Sequence, residues 1–278
     1  MKLILSNKEV YDRPVHPNPG EKPIPRWFWC FALFIVKAIL AVLWRSSTVN
    51  KEALRAFEGK YGVLLIGAHT SYLDPVFLVA NAGPKQWPRA IGRDNIFAKL
   101  GGFTGFILGR CGAMPIKRDF ADTVAVKRAV NLLKHKDAVA IFPEGTRRGK
   151  SDREATLHGG CILISRMANV PILPFAPIGV ADIKRKGKFL KFNKCFIAYG
   201  DPVVLADFEF IEKENRMEAA AWYVMRESYA LLFGCPASEV DMKQLFPASN
   251  DYRELFANHP IPKHTPEEAI AICMAKNA

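Results

Sequence analysis

From about residue 60 onward, short apolar runs alternate with stretches of helical pattern. Apolar runs of this length, bounded by Gly, Pro or polar residues, are typical of buried strands, and intervening helices connect parallel strands. The alternation therefore predicts an α/β fold with a mainly parallel, mixed sheet flanked by helices. The predicted strands are 62–67, 88–92, 112–116, 138–142, 171–175 and 194–199, and the predicted helices are 73–81, 94–100, 120–135, 158–168 and 216–233.

The chain before and after this pattern differs in composition. Residues 1–25 are polar and contain five prolines, so we expect an extended, weakly ordered arm. Towards the other end, Thr265 as N-cap and Glu268 three residues later predict a capped final helix. The expected organisation is a flexible arm over 1–25, an apolar membrane-associating helical segment over 26–58, the α/β domain over 59–234, and a helical extension packed on that domain over 235–278.

Residues 27–44 are apolar nearly all round, with Trp and Arg at both ends and Lys37 in the middle. Eighteen residues is close to the shortest span of a bilayer, about 17 residues. A lysine at the centre of a spanning helix costs about 2.5–3.5 kcal/mol. Aromatic and basic ends suit a helix that lies in one leaflet, and we favour this interpretation. A buried core helix and a spanning helix remain the alternatives.

The net charge of +12 favours a polyanionic partner such as nucleic acid, an anionic membrane or a phosphorylated substrate. We expect no nucleic-acid partner, because the sequence contains no zinc-finger spacing, no RNP-like aromatic stretch and no basic heptad helix. The six cysteines are scattered and form no Cys/His cluster. They are expected to be reduced, buried thiols, and no metal site is predicted.

A histidine and an aspartate follow the first predicted strand of the domain. His69 would lie on the turn that leaves the carboxyl end of strand 62–67, where open α/β sheets bind their ligands. Asp74 would lie in the first helical turn, within reach of one imidazole nitrogen. A neutral imidazole held in this way is a competent general base near neutral pH. The alternative interpretation is a capping box, with Ser71 as N-cap and Asp74 three residues later.

Cations follow two further predicted strands. Lys117 and Arg118 end the run that begins at Gly112, and Arg147 follows strand 138–142 through Glu144. A guanidinium donates two parallel charge-assisted hydrogen bonds to a phosphate, so two arginines at neighbouring strand ends could hold one phosphate from two sides. Taken singly, these residues also fit solvated charges or surface ion pairs.

Together these segments resemble the glycerophospholipid acyltransferase family, most closely its 1-acylglycerol-3-phosphate acyltransferases. Residues 69–74 match the His-x-Ser-x-x-Asp block, and residues 112–118 match a Gly followed by Ile-x-Arg. Residues 144–147 match Glu-Gly-Thr-Arg in full, and residues 170–174 match the Val-Pro-Ile-Leu-Pro block. The four blocks occur in family order, which makes the resemblance specific. Ala68 stands where Asn is usual and Pro115 replaces the customary Phe.

The resemblance implies the roles of the site residues. His69 would deprotonate the sn-2 hydroxyl of a lysophosphatidate, which attacks the thioester of acyl-CoA or acyl carrier protein to give phosphatidate. Asp74 would orient His69. The residues implied for the acceptor phosphate are Arg118, Glu144, Gly145, Thr146 and Arg147, with Ser71 and Lys117 as possible supporting residues. The acyl thioester is a co-substrate, and no cofactor is expected.

The resemblance also implies attachment to the cytoplasmic face of a membrane, where acceptor and product reside. Residues 183–194 interleave six cations with apolar side chains. Such a loop suits an anionic leaflet, although an ordinary solvated hairpin is an equal alternative. Two other functions remain open: acylation of glycerol-3-phosphate or another lysophospholipid, and non-catalytic lipid binding on the same fold.

Overall fold

The computed structural model describes residues 7–83, 85, 87–117, 122–144, 157, 159–184 and 189–276. The strands are β1 (Ser47–Val49), β2 (Val63–Gly67), β3 (Arg89–Arg93), β4 (Met114–Ile116), β5 (Ala138–Ile141), β6 (Ile172–Ile178) and β7 (Phe196–Tyr199). The helices are α1 (Asn7–Asp12), α2 (Arg26–Trp44), α3 (Lys51–Arg55), α4 (Asp74–Ala82), α5 (Asp94–Phe97), α6 (Phe103–Arg110), α7 (Thr123–Lys134), α8 (Gly160–Ala168), α9 (Lys213–Phe233), α10 (Met242–Leu245), α11 (Arg253–Asn258) and α12 (Pro266–Ala275).

The described strands form one sheet in the order β1-β7-β6-β2-β5-β3-β4. The five strands from β6 to β4 are parallel to one another, whereas β7 is antiparallel to β6 and β1 is parallel to β7. The predicted mainly parallel, mixed α/β sheet is therefore confirmed. Because β2 is central, its carboxyl end lies in the middle of the edge where α/β proteins bind ligands.

The sheet is buried on both faces, as the apolar strand sequences require. Successive residues of β2 point to opposite faces. Leu64 and Ile66 pack in a core with α7, α8 and α9. Val63 and Leu65 pack in a second core with α2 and α4. Helix α2 therefore packs on the face of the sheet opposite to the one that α7 and α8 cover.

Helix α2 buries only one side. Trp29, Leu33, Leu40 and Trp44 are buried against the domain. Its other side leaves large apolar side chains exposed: Trp27, Phe31, Phe34, Ile35, Ile39, Val42 and Leu43. Among the described residues it is the one helix long and apolar enough to cross a membrane by length and composition, with a mean hydropathy of 2.1.

Three of the differences from the predicted elements concern the sheet and the helix that precedes β4. Strand β1 was not predicted; it pairs with β7, so the sheet begins before residue 59, the predicted start of the domain. Helix α6 was not predicted either, because Gly105 and Gly109 weaken its helical pattern. Pro177 indicates the end of a strand, but β6 continues to Ile178 because it pairs with β7 there.

The predicted start of the last helix is confirmed. The Thr265 hydroxyl accepts the Glu268 N–H at 3.3 Å, and the Glu268 carboxylate accepts the Thr265 N–H at 2.8 Å. This reciprocal capping box satisfies two amide groups at the start of α12. Ala269 and Cys273 of that helix are buried against Val204.

Residues 7–25 do not form the weakly ordered arm that their composition predicted. Val10, Val15 and Ile24 are buried in the core beneath α2. The fully buried guanidinium of Arg89, at the start of β3, donates to carbonyl oxygens of the arm, the shortest bond being 2.7 Å to Arg13. Burial lowers the pKa of Arg89 to about 10, so it stays charged at neutral pH.

A buried carboxylate holds the next part of the same segment. Asp137, which precedes β5, accepts the backbone N–H of Val15 at 2.8 Å and that of His16 at 3.1 Å. The His16 imidazole lies 3.1 Å from the same carboxylate. The prediction of a flexible arm was wrong for residues 7–25 because the partners of these backbone groups are more than seventy residues away along the chain.

Replacing Arg89→Leu should lower the free energy of unfolding by about 3–5 kcal/mol, because it leaves buried carbonyl groups without their charged donor. Urea denaturation of the full chain measures this change. The matched control is Arg55→Leu, since Arg55 forms an exposed pair with Glu52 and should change stability by less than about 1 kcal/mol. Equal effects of the two variants would contradict the role of Arg89 in holding residues 7–25 against the domain.

Candidate active site

His69 and Asp74 meet at the carboxyl end of the central strand. The chain leaves β2 at Gly67, passes the buried Ala68 and turns at His69 before α4 begins at Asp74. A Cβ at Gly67 would come within 2.6 Å of the Phe175 carbonyl oxygen, so only glycine fits where β2 ends against β6. The Nδ1 of His69 lies 3.0 Å from Asp74 Oδ2, as the spacing predicted.

The carboxylate of Asp74 is fully buried and bound from several sides. Its Oδ2 accepts the backbone N–H of Thr70 and of Ser71, each at 2.7 Å. The Thr70 hydroxyl donates to Oδ1 at 3.3 Å. Because a carboxylate can only accept, we assign the His69 proton to Nδ1, which leaves Nε2 with its lone pair. A buried carboxylate held in this way fixes both the ring and its tautomer.

Ser71 is not the N-cap of α4. The helix begins at Asp74 with Leu73 preceding it, and Leu73 makes no side-chain cap. The Ser71 hydroxyl accepts the Leu73 N–H at 3.3 Å. The Asp74 carboxylate accepts the Ser71 N–H, which is one half of a capping box. The same carboxylate oxygen also binds the His69 imidazole. Ser71 therefore shapes the turn between β2 and α4.

The imidazole packs against an aromatic ring. The rings of His69 and Phe142 have centroids 4.5 Å apart and an interplanar angle of 33°. Phe142 follows β5, the neighbour of β2, so adjacent strand ends place the two rings together. The His69 side chain keeps 16% of its surface exposed. The imidazole is therefore partly shielded from water and still accessible from outside.

Glu144 lies beneath the His69 turn. Its Oε1 accepts the backbone N–H of His69 at 2.9 Å and the hydroxyl of Tyr229 at 2.7 Å. Glu144 was predicted to bind the acceptor phosphate. Its Oε1 is bonded to the backbone that carries the imidazole and so helps to fix the position of His69. Binding of the acceptor phosphate by Glu144 stays a prediction.

Helix α9 supplies two site residues that were not predicted from the sequence. The buried Ser228 hydroxyl accepts the Ala68 N–H at 2.9 Å and donates to the Phe175 carbonyl at 2.6 Å. The neighbouring Tyr229 donates to Glu144. Buried polar side chains need partners, but Ser228 and Tyr229 directly follow the charged Arg226 and Glu227, so the sequence did not mark them as buried. The sequence does not indicate which strand ends they contact.

The structure describes only some of the other residues that were predicted to bind the phosphate. Arg118, Gly145, Thr146 and Arg147 lie outside the described residues. Lys117 is exposed after β4, and its backbone N–H donates to Asp122 at 2.9 Å. Strand β4 lies three positions from β2, or about 14 Å at the usual strand spacing. The structure therefore brings together His69, Asp74 and Glu144.

No cluster of three His, Cys, Asp or Glu side chains that could hold a metal ion occurs within the part of the chain that the structure describes. The absence of a metal and of a cofactor from the mechanism remains a prediction.

A family model described as Acyltransferase matches residues 46–177, which include β1 to β6 apart from the last residue of β6. Over these residues the chain is similar to an acyltransferase domain. The match includes His69, Asp74 and Glu144, and it confirms the resemblance drawn from the four sequence blocks. It also begins at the edge strand β1, in agreement with the sheet pairing.

Curated relatives and a solved structure agree with the family. The 1-acyl-sn-glycerol-3-phosphate acyltransferase of Streptococcus pneumoniae is 30% identical over 158 residues, which are 55% of this chain and 54% of that protein. The enzyme of the same name from Bacillus subtilis is 26% identical over 189 residues, 68% of this chain and 89% of that protein. The match thus spans about half the length of the pneumococcal relative.

The fold is similar to the crystal structure of the 1-acyl-sn-glycerophosphate acyltransferase PlsC from Thermotoga maritima. The TM-score is 0.52 at 18% sequence identity, with 73% of this chain and 80% of that chain covered. At this identity the likeness supports the fold alone.

Replacing Ser228→Ala should lower the free energy of unfolding by about 1–3 kcal/mol, because it leaves the Ala68 amide and the Phe175 carbonyl buried without their partner. Urea denaturation gives the value. The exposed Ser238→Ala is the matched control and should stay within about 0.5 kcal/mol of the parent protein. An unchanged stability of the Ser228 variant would refute the bridge between α9 and the His69 turn.

Proposed function

We propose that this chain is a 1-acylglycerol-3-phosphate O-acyltransferase, which transfers an acyl group from a thioester donor to the sn-2 hydroxyl of a lysophosphatidate. The observation that carries the proposal is the His69–Asp74 pair at the carboxyl end of the central strand, inside a domain that matches the acyltransferase family. Two relatives that bear this enzyme's name support the choice of acceptor.

The site geometry supports general-base catalysis without a covalent enzyme intermediate. The Nε2 of His69 takes the hydroxyl proton while the hydroxyl oxygen attacks the thioester carbonyl. Asp74 holds the Nδ1–H and stabilises the imidazolium that forms. Collapse of the tetrahedral intermediate breaks the carbon–sulfur bond, and the departing thiolate receives the proton from His69. The products are phosphatidate and the thiol of CoA or of acyl carrier protein.

For the phosphate of the acceptor we propose Arg118 and Arg147, whose guanidinium groups match its charge and geometry, with Thr146 and Lys117 assisting. Gly145 permits a close approach of backbone N–H groups to the developing oxyanion. These roles rest on the sequence pattern. Glu144 acts through the backbone of His69, since its carboxylate oxygen is bound there and to Tyr229.

We further propose that α2 lies in one leaflet and holds the enzyme at a membrane surface. One side of α2 is buried against the domain from Trp29 to Trp44, so the helix cannot cross a bilayer without drawing the domain into the hydrocarbon. Its exposed side, which includes Phe34 and Val42, is the apolar surface of an interfacial helix. The cytoplasmic face supplies the soluble thioester donors, and widely separated cysteines suit that reducing compartment.

The reaction is tested with purified protein and a panel of acceptors. Transfer from acyl-CoA to 1-acylglycerol-3-phosphate is expected to exceed transfer to glycerol-3-phosphate, and His69→Ala should lower kcat by about 10³-fold or more. The matched control is His135→Ala, because His135 also pairs with a carboxylate, Glu21, far from the site. Transfer to glycerol-3-phosphate alone would replace the proposed acceptor. Full turnover in His69→Ala would exclude His69 as the general base.

The membrane anchor is tested by placing charge on the exposed side of α2. Phe34 and Val42 are 75% and 79% exposed, so Phe34→Glu/Val42→Glu should leave folding intact and move the protein from the membrane to the soluble fraction. Val124→Glu/Met167→Glu, on α7 and α8 at the opposite sheet face, is the matched control and should stay with the membrane. Retention of the α2 variant in the membrane fraction would refute the anchor.

A further inference from the structure

A second exposed apolar segment lies beside the end of α2. Residues 189–192 read Phe-Leu-Lys-Phe, and we call them the FLKF segment. Phe189 is fully exposed, and Leu190 and Phe192 are about half exposed. Exposing three neighbouring apolar side chains to water is unfavourable in free energy. Contiguous exposed apolar groups of this kind mark a site of interaction.

The FLKF segment is fixed to α2 by hydrogen bonds. The Trp44 indole N–H donates to the Lys191 carbonyl at 2.9 Å, and the Arg45 guanidinium donates to the Phe192 carbonyl at 3.1 Å. The Trp44 and Phe192 rings lie 5.9 Å apart. The backbone of Lys191 is also bonded to the Ile183 carbonyl at 2.9 Å. The segment therefore holds a set position next to the last exposed turn of α2.

Strand pairing places the FLKF segment at the edge of the sheet that carries His69. Strand β7, which follows it, starts at Phe196 opposite Ile178, the carboxyl end of β6. Ser47, which follows α2, is paired with the same Phe196. Both the segment and the end of α2 thus lie at the carboxyl edge of the parallel strands, as His69 does.

The charges around the segment select the partner. Lys184, Lys191 and Lys194 are exposed on either side of its aromatic residues. Cations next to exposed Phe and Leu suit an anionic lipid surface, where the rings enter the interface and the ammonium groups remain among the headgroups. A second copy of the chain would bring the same lysines against one another, so like charges oppose that occupant.

We propose that the FLKF segment is a second membrane-contacting element, which binds an anionic bilayer together with α2 and turns the active-site edge towards the lipid. The inference rests on the proposed membrane anchor and adds an orientation to it. A single helix lying in the interface leaves the domain able to rotate about the helix axis. A second contact at the carboxyl edge removes that freedom and brings His69 to the headgroup level, where a lysophosphatidate presents its hydroxyl.

The test compares Phe189→Ser/Leu190→Ser with the parent protein in co-sedimentation with vesicles of phosphatidylglycerol and phosphatidylcholine. Both side chains are exposed, so folding should be retained, and binding should weaken by about tenfold or more as two apolar contacts are lost. The matched control is Val124→Ser/Met167→Ser on the opposite face, which should bind as the parent does. Unchanged binding of the FLKF variant would overturn the proposal.

A charge variant separates the two parts of the contact. Lys184→Gln/Lys191→Gln/Lys194→Gln should weaken binding to the anionic vesicles and leave binding to pure phosphatidylcholine vesicles unchanged. Equal binding to both vesicle types by the parent and the variant would exclude anionic recognition. If Phe189→Ser/Leu190→Ser changed the mass in solution and left vesicle binding unaltered, the occupant would be a second copy, which also overturns the proposal.

An activity measurement distinguishes this inference from the proposed function. With an acceptor in vesicles, the FLKF variant should lose turnover in proportion to binding, whereas with a dispersed short-chain acceptor it should match the parent. Loss of both activities would contradict the orienting role. Absence of acyl transfer in the parent protein, together with reduced vesicle binding of the variant, would refute the proposed function and leave the membrane contact standing.

Discussion

The buried carboxylate of Asp74 holds together the turn on which the site depends. It accepts the His69 Nδ1–H and the amides of Thr70 and Ser71, so one group fixes the imidazole, its tautomer and the backbone between β2 and α4. A buried charge is tolerated only where it is fully hydrogen-bonded. The same bonds that justify its burial therefore impose the geometry that a general base requires, and stability and chemistry share one set of contacts.

A second layer of contacts supports that turn from below. Glu144 holds the amide of His69, Tyr229 holds Glu144, and Ser228 joins Ala68 to β6. The end of β5 and the long helix α9 thus set the position of a residue on β2. Alignment of a catalytic group depends on such supporting bonds, because a side chain on an otherwise unsupported loop samples many positions.

The exposed apolar surface of α2 lies on one side of that helix only. Helix α2 covers one sheet face with its buried side and leaves its other side exposed, and the sheet pairing brings the end of α2 to the edge that carries His69. In the proposed orientation this surface contacts lipid, and the proposed acceptor would reach His69 by moving along the membrane. Residues 7–25 are bound by Arg89 and Asp137 and lead directly into α2, so they hold the start of that helix against the domain.

The sequence by itself determined the alternation that makes the α/β sheet, the His69–Asp74 pair and the family, because these depend on local periodicity and on short blocks of adjacent residues. The tertiary structure alone decided that residues 7–25 are packed, that β1 joins the sheet and that Ser228 and Tyr229 support the site. Their partners lie far away along the chain, and composition carries no information about such pairings. It also decided which side of α2 is exposed, since a helix that is apolar all round does not indicate by its sequence which face the domain will cover.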